Sequence, residues 1–372
     1  MGNAETDLSS VPHSHVEAPS AAEKEKELMD AGRFYALLRF EEASLALRAV
    51  MRMGLVDQLG DRSFSPVELR ETLGFTEQAA RTFFALLQIM EILEVRNDSY
   101  RVTRLASECL ADGLPTSRKP YLSIETGDDV DALLDLLKGN HPDEALPLYS
   151  GENAGETVMD DADVAREIAL GLASRARNFA APLATAVADA APAAKTVADI
   201  GAGSPYVAQA CLNALPSLQN VTLVDRANGM RFAHEIIETE QFDVSRLGFH
   251  EGDFFDAVPT ADVYVLSNTA HDWQPQEYTK IADNIRDVIP DRGLVCIHEP
   301  ILMTSWESDT EWVRALWMAC YALTLLRFTL GEGTCYSVEE HHEILARSGF
   351  VPSGTPVPTS DGCTALFYKV KH

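Results

Sequence analysis

The sequence predicts an α/β protein, with a doubly wound parallel sheet in the C-terminal half and a mainly helical unit before it. Three observations predict this. Past Ala191-Pro192, short apolar runs alternate with helical stretches, the rhythm of a parallel sheet that binds ligands at the carboxyl ends of its strands. Before residue 110, apolar residues recur at helical spacing and end in a short hairpin. A chain of 372 residues, 46% of them apolar, is long enough for two domains with cores of their own.

Residues 1–30 are rich in Ser, Ala, Glu, Lys and His. They have too little apolar surface to offset chain entropy and read as a disordered tail. Residues 31–110 form the helical domain. Phe34, Leu37, Leu38, Leu45, Leu47, Val50, Met51 and Met53 keep helical spacing up to Gly54. Ser65-Pro66-Val67-Glu68 is a capping box with proline in the first helical position, and Gly74 stops that helix. Thr76 opens the next helix, with Phe83, Phe84, Leu86, Leu87, Ile89 and Met90 on its apolar side. Leu93-Glu94-Val95, a turn at Asn97-Asp98-Ser99, and Tyr100-Arg101-Val102 read as a hairpin. Three helices and a hairpin predict a winged-helix unit. Its exposed candidates for DNA contact, Glu77, Gln78 and Arg81, carry little positive charge, so packing or dimerisation is the preferred role. Residues 111–185 read as a helical connector with Gly/Pro breaks and no evident chemistry.

The sheet domain occupies residues 186–372. Thr196–Ile200 is its first strand, followed by Gly201-Ala202-Gly203 and a helix. Val221–Asp225 is the second strand. A third segment ends at Gly252-Asp253-Phe254-Phe255. Asp262–Leu266 and Leu294–Glu299 follow, and Thr364–Val370 closes the sheet.

Charge and cysteine usage bound the partners. Thirty basic against 57 acidic residues give a net charge of −27, which opposes nucleic acids and anionic membranes alike. Neutral or cationic small molecules suit such a chain. The six cysteines are scattered, with no Cys-x-x-Cys pair, so neither a disulfide framework nor a metal site is expected. The N-terminus has no signal-peptide run and no apolar stretch reaches membrane-spanning length, which predicts a cytoplasmic, reducing location.

The chemistry gathers at strand ends. A dinucleotide loop wants a third glycine where this chain has Tyr206, so nicotinamide or flavin binding is disfavoured. Asp225, 22 residues beyond Gly203, can accept both hydroxyls of a ribose. Asp253 can take an adenine amine, with Phe254 against the ring. His271 lies past the fourth strand, in Ser267-Asn268-Thr269-Ala270-His271-Asp272-Trp273, where the ligand crevice opens. Glu299, ending the adjacent strand, can accept its second N–H and so orient a general base.

This ordered set, Asp199-Ile200-Gly201-Ala202-Gly203, Val224-Asp225, Gly252-Asp253-Phe254-Phe255, His271-Asp272-Trp273 and Glu299, resembles the caffeic-acid-type, metal-independent, S-adenosylmethionine-dependent small-molecule O-methyltransferases of plants and bacterial natural-product pathways. The resemblance covers nearly everything past residue 30, and His-Asp-Trp is its most specific piece. It implies a Rossmann-like methyltransferase sheet with an N-terminal winged-helix unit that forms a homodimer. It also implies S-adenosylmethionine as cofactor, a small phenolic acceptor and no metal. Residue by residue, Gly201 and Gly203 would lie against the methionine part, Asp225 at the ribose, and Asp253 and Phe254 at the adenine. Asp199, Ser204, Arg226 and Ser267 complete the cofactor side. His271 would be the general base, with Glu299 and Asp272 beside it. Trp317, Met318 and Tyr321, at helical spacing within Trp312–Leu326, and Phe179 on the connector are the candidate acceptor wall.

Three departures from the family pattern stand out. Pro205 replaces a loop glycine, and we expect Ser204 to cap and Pro205 to begin the following helix. Ser267 stands where some members carry lysine. The family's second glutamate falls near Cys335, with Glu332 as a candidate replacement. Two alternatives therefore stand beside O-methylation: methylation of a ring carbon, and non-methylating chemistry such as hydroxylation, decarboxylation or pericyclic reaction on the same fold. A third reading, a winged-helix regulator, predicts salt-sensitive binding to duplex DNA.

Overall fold

The computed structural model describes residues 40–112, 114, 117, 129–141, 146, 157–303, 305–359 and 362–371. The expected tail at 1–30 lies outside them. Helical residues 40–52 lead into helices Leu55–Leu59, Pro66–Leu73 and Glu77–Ile89, then a hairpin of β1 (Leu93–Arg96) and β2 (Ser99–Val102). The capping box forms as read: Ser65 Oγ accepts from Glu68 N, and Glu68 accepts from Ser65 N. Leu93 pairs with Val102 and Arg96 with Ser99, so the hairpin turns at Asn97-Asp98, both in the left-handed region that Asn and Asp tolerate.

Among the described residues, the large sheet has eight strands: β3 (Thr196–Ile200), β4 (Asn220–Asp225), β5 (Leu247–Glu251), β6 (Val263–Ser267), β7 (Leu294–Glu299), β8 (Phe350–Pro352), β9 (Val357–Pro358) and β10 (Thr364–Val370). Their order is β5-β4-β3-β6-β7-β10-β8, with β9 on β10. β3 to β7 are parallel; β10 runs antiparallel to β7, β8 and β9. Strand order reverses between β3 and β6, and a crevice opens at their carboxyl ends. Burial on both faces explains why the inner strands read as nearly continuous apolar runs. Val197, Val263, Val265 and Cys296 face helices Ala162–Ala190, Tyr206–Ala214 and Ala227–Glu240, whereas Ala198, Ile200, Tyr264 and Leu266 face helices Pro275–Val288 and Val338–Arg347. β8 and β9 are short, proline-ended edge strands that carry no periodic signal. Among the described residues, no helix is long and apolar enough to cross a membrane.

The structure revises three sequence expectations. The connector boundary at 185 falls inside the continuous helix Ala162–Ala190, which runs through Pro182. The helix begun near Trp312 spans Asp309–Phe328, and its Ala315, Ala319, Leu323 and Leu326 belong to the N-terminal core with Leu45, Phe83 and Leu87. Trp312 Nε1 donates to Ile89 O across that junction at 2.9 Å. Finally, Ser204 does not cap and Pro205 is not the first helical residue. The helix starts at Tyr206 with Pro205 itself as N-cap and no side-chain cap. Gly201 and Gly203, at φ +68° and +57°, make the turn, and Ser204, largely buried, follows it on the cavity lining.

Candidate active site

A cavity of about 450 Å³ opens at the switch point. Its floor is the β3 turn and the end of β4. Asp225 closes the turn by accepting from Gly203 N and Arg226 N, each at 2.7 Å. A Cβ on Gly229 would stand 2.4 Å from Asp225 Oδ1, so this glycine fixes how closely helix Ala227–Glu240 approaches the carboxylate. The same holds at Gly201, where a Cβ would meet Thr269 at 2.9 Å. Burial pushes Asp225 above its ordinary value despite the two N–H donors.

Asp199 is 2% exposed and its Oδ2 has no hydrogen-bond partner. Burial, then the charge of Asp225, pushes this carboxyl up to about 8. A cation in the cavity would reverse that shift. The opposite wall is the long connector helix, through Leu172, Arg175, Ala176 and Phe179, with Met159 and Asp160 on the short 3₁₀ turn before it. Asn228 Nδ2 ties that turn to the β4 side by donating to Met159 O at 2.8 Å. The sequence of the connector carries no evident chemistry. Phe179 is its one local signal, since helical period alone does not say what a buried face touches.

At the β6 end, backbone N–H groups of Thr269 and Ala270 donate to Glu299 Oε1 at 2.8 and 2.7 Å. The other carboxylate oxygen, Oε2, lies 2.5 Å from His271 Nδ1. These contacts leave only Nε2 of the imidazole free to work, 3.6 Å from Asp272 Oδ1. Burial lowers the proton affinity of His271, but the charges of Glu299 and Asp272 outweigh it, and the ring ends above its ordinary 6.5. Burial raises Glu299, and the charge of His271 with its hydrogen bond outweighs that, so the carboxyl ends below its ordinary value. Burial pushes Asp272 up to about 7. The structure thus brings His271, Asp272 and Glu299 into one buried cluster, of which Asp272 reaches the cavity wall.

Asp199, Gly201, Gly203, Ser204, Asp225, Arg226, Phe254, Ser267 and Phe179 all line the cavity. Asp253 lies outside its lining: Oδ1 accepts from Phe255 N at 2.9 Å and holds the loop that presents Phe254. Trp317, Met318 and Tyr321 also lie outside it. Trp317 packs on Gly362, where a Cβ would be 2.1 Å from the indole, and Met318 is buried. Tyr321 stands 6.1 Å from the His271 ring and accepts from Arg175 Nη1 at 3.3 Å. Glu332 does not flank the histidine. It is exposed and accepts from Gln274 Nε2, while its chain neighbours Gly333 and Thr334 back the His271 main chain, with Thr334 N donating to His271 O at 2.8 Å. That segment reaches the site by its backbone, which sequence register does not reveal.

An unpartnered buried acid, a second acid held by backbone N–H groups, and a glycine floor fit a cationic nucleoside such as S-adenosylmethionine.

The sequence profile of the O-methyltransferase domain matches residues 136–351. A phenazine O-methyltransferase of Lysobacter antibioticus is 27% identical over 337 residues, covering 86% of this chain and 91% of that one. The acetylserotonin O-methyltransferase of Gallus gallus is 30% identical over 154 residues, so that match spans only 41% of either protein. Among solved structures, an O-methyltransferase family 2 protein from Planctomyces limnophilus, in complex with apigenin, superimposes with a TM-score of 0.75 at 27% identity, over 91% of this chain and 95% of that one.

Proposed function

Because the chain belongs to the O-methyltransferase domain family, we propose that it is an S-adenosylmethionine-dependent methyltransferase acting on a hydroxyl of a small aromatic molecule in natural-product metabolism. The observation that carries this reading is the His271–Glu299 pair, 2.5 Å apart, buried beside a cavity floored by acids and glycines. The apigenin complex of the Planctomyces relative supports an aromatic acceptor.

The cofactor, when bound, supplies a methyl group already activated on sulfonium. The protein's own tasks are positioning and removal of a proton. Asp225 accepts the ribose hydroxyls, Phe254 covers the base, and Asp199 meets the cationic end. Phe179 and Leu172 present an apolar wall to an aromatic ring. His271 Nε2 accepts the proton of the acceptor hydroxyl, and Glu299 holds Nδ1–H and balances the resulting imidazolium. A phenol of ordinary pKa about 10 suits such a base when deprotonation accompanies attack.

Release of S-adenosylhomocysteine from a panel of phenolic acceptors tests the reading, with a product heavier by one CH₂. Gain of oxygen or loss of CO₂ would instead identify non-methylating chemistry. His271 works only when neutral, and its proton affinity is raised above 6.5. The pH–rate profile should therefore climb along a limb whose midpoint lies above that value; a midpoint below it contradicts the assignment. Gly229→Ala should push the Asp225 carboxylate from its place and weaken S-adenosylhomocysteine binding about tenfold or more by calorimetry. Self-association through the N-terminal winged-helix unit belongs to the same proposal, supported by exposed Phe40, Leu105 and Phe328 at that end. Light scattering should return twice the 40.7 kDa chain mass.

A further inference from the structure

Ser267 faces the cavity from the sheet face that also carries Asp199 and His298. In the parallel register Asp199 pairs with Val265 and Ser267 with His298. All three side chains therefore point to one side of the sheet, the side covered by helix Ala162–Ala190. Phe179 of that helix lies 4.7 Å from the His298 ring, centroid to centroid.

His298 is fully buried, and a buried imidazole needs partners for its nitrogens. Nδ1 is 2.8 Å from Ser267 Oγ and Nε2 is 2.8 Å from Thr359 Oγ1. The far end of this chain sets the direction of its protons. Thr359 donates its hydroxyl to Cys363 O at 3.0 Å, so its oxygen accepts from His298 Nε2–H. In the neutral ring Nδ1 is then bare and accepts the Ser267 hydroxyl proton. Asn268 Nδ2 donates to the same Ser267 oxygen at 3.4 Å. With its proton turned inward, Ser267 offers the cavity a lone pair. Among the described residues, Asp199 Oδ2 on the same face is also an acceptor, buried and without a partner.

We propose that His298 is a positioning residue that fixes Ser267 Oγ as a hydrogen-bond acceptor, which together with Asp199 receives the ammonium of the cofactor's amino-acid end. The inference rests on the S-adenosylmethionine reading above. It gives the serine at this position a definite polarity, set by a histidine two strands from the glycine turn.

The test is calorimetric, on the full chain, with two probes: S-adenosylhomocysteine, which carries the ammonium, and methylthioadenosine, which lacks it. Ser267→Ala should weaken the first about tenfold and leave the second within about twofold. His298→Leu should weaken the first about threefold or more, and the double variant should be no weaker than Ser267→Ala alone. His298→Asn, whose Oδ1 replaces the Nδ1 acceptor, should restore most of the affinity. The proposal is overturned if Ser267→Ala binds S-adenosylhomocysteine like wild type, if both probes weaken equally, or if the two substitutions add. Should His298→Leu fail to fold, Ser267→Ala and His298→Asn decide alone. A wild-type protein that binds neither probe overturns the cofactor reading itself, whereas wild-type binding with an unaffected Ser267→Ala overturns this inference only.

Discussion

Replacing His271 with alanine is expected to lower methyl transfer roughly 10²- to 10⁴-fold while leaving S-adenosylhomocysteine affinity within about twofold of wild type. The split follows from where the ring sits. His271 is outside the lining of the cavity that would hold the cofactor, and its working atom is Nε2, because Nδ1 is committed to Glu299. Truncation would remove the proposed proton acceptor and leave Asp199, Asp225 and the glycine floor in place. Single-turnover rates and calorimetry on the same preparation separate the two effects. An unchanged rate would make His271 a structural residue. A loss of affinity in proportion to the rate would show that the ring shapes the cofactor cavity instead.

Replacing Glu299 with alanine should damage stability as well as rate. Its carboxylate is 1% exposed and takes three hydrogen bonds, from Thr269 N, Ala270 N and His271 Nδ1. Truncation strands two backbone donors and an imidazole in the interior, a loss of about 3–5 kcal/mol on the scale of broken buried pairs. Glu299→Gln separates the two roles. Its carbonyl oxygen still accepts from Thr269 and Ala270, but its amide cannot balance an imidazolium. The fold should survive, and the rate should fall about 10²-fold or more. Linkage gives a second readout. Glu299 titrates below its ordinary 4.5 in the folded chain, so its stabilisation is present above that pH and lost as pH falls through the folded value. His271 titrates above 6.5, so its share is complete below that pH and is lost as pH rises through its own folded value. Together the pair contributes most between those two pH values. Urea titrations across the range should show this maximum in wild type and a flatter profile in Glu299→Gln. Identical profiles would mean that the two groups are not coupled.

Much of this site was legible without coordinates, for a physical reason. A parallel sheet buried on both faces writes its strands as apolar runs, so the ends of β3, β4, β6 and β7, and hence Gly201, Asp225, His271 and Glu299, could be placed by order alone. The pairing of His271 with Glu299 followed because adjacent parallel strands put their carboxyl ends side by side. Local backbone chemistry was equally readable: Ser65 caps because its hydroxyl reaches Glu68 N, and Asn97-Asp98 turn because short polar side chains tolerate positive φ.

Tertiary packing decided the rest. The connector helix Ala162–Ala190 became a cavity wall only by packing against helix Tyr206–Ala214, helix Ala227–Glu240 and β10. Tyr321 met Arg175 and the His271 ring rather than the cavity. Glu332 turned to Gln274 because its loop approaches His271 by main chain. The polarity of Ser267 hangs on Thr359 and Cys363, about a hundred residues away in sequence. Which chemical groups stand at the strand ends is a local matter of strand period and order, already written in the residues. Which of them share a cavity, and which way each proton points, was decided by long-range burial, where groups such as His298 and Glu299 take their partners from distant parts of the chain and Asp199 Oδ2 is left without one.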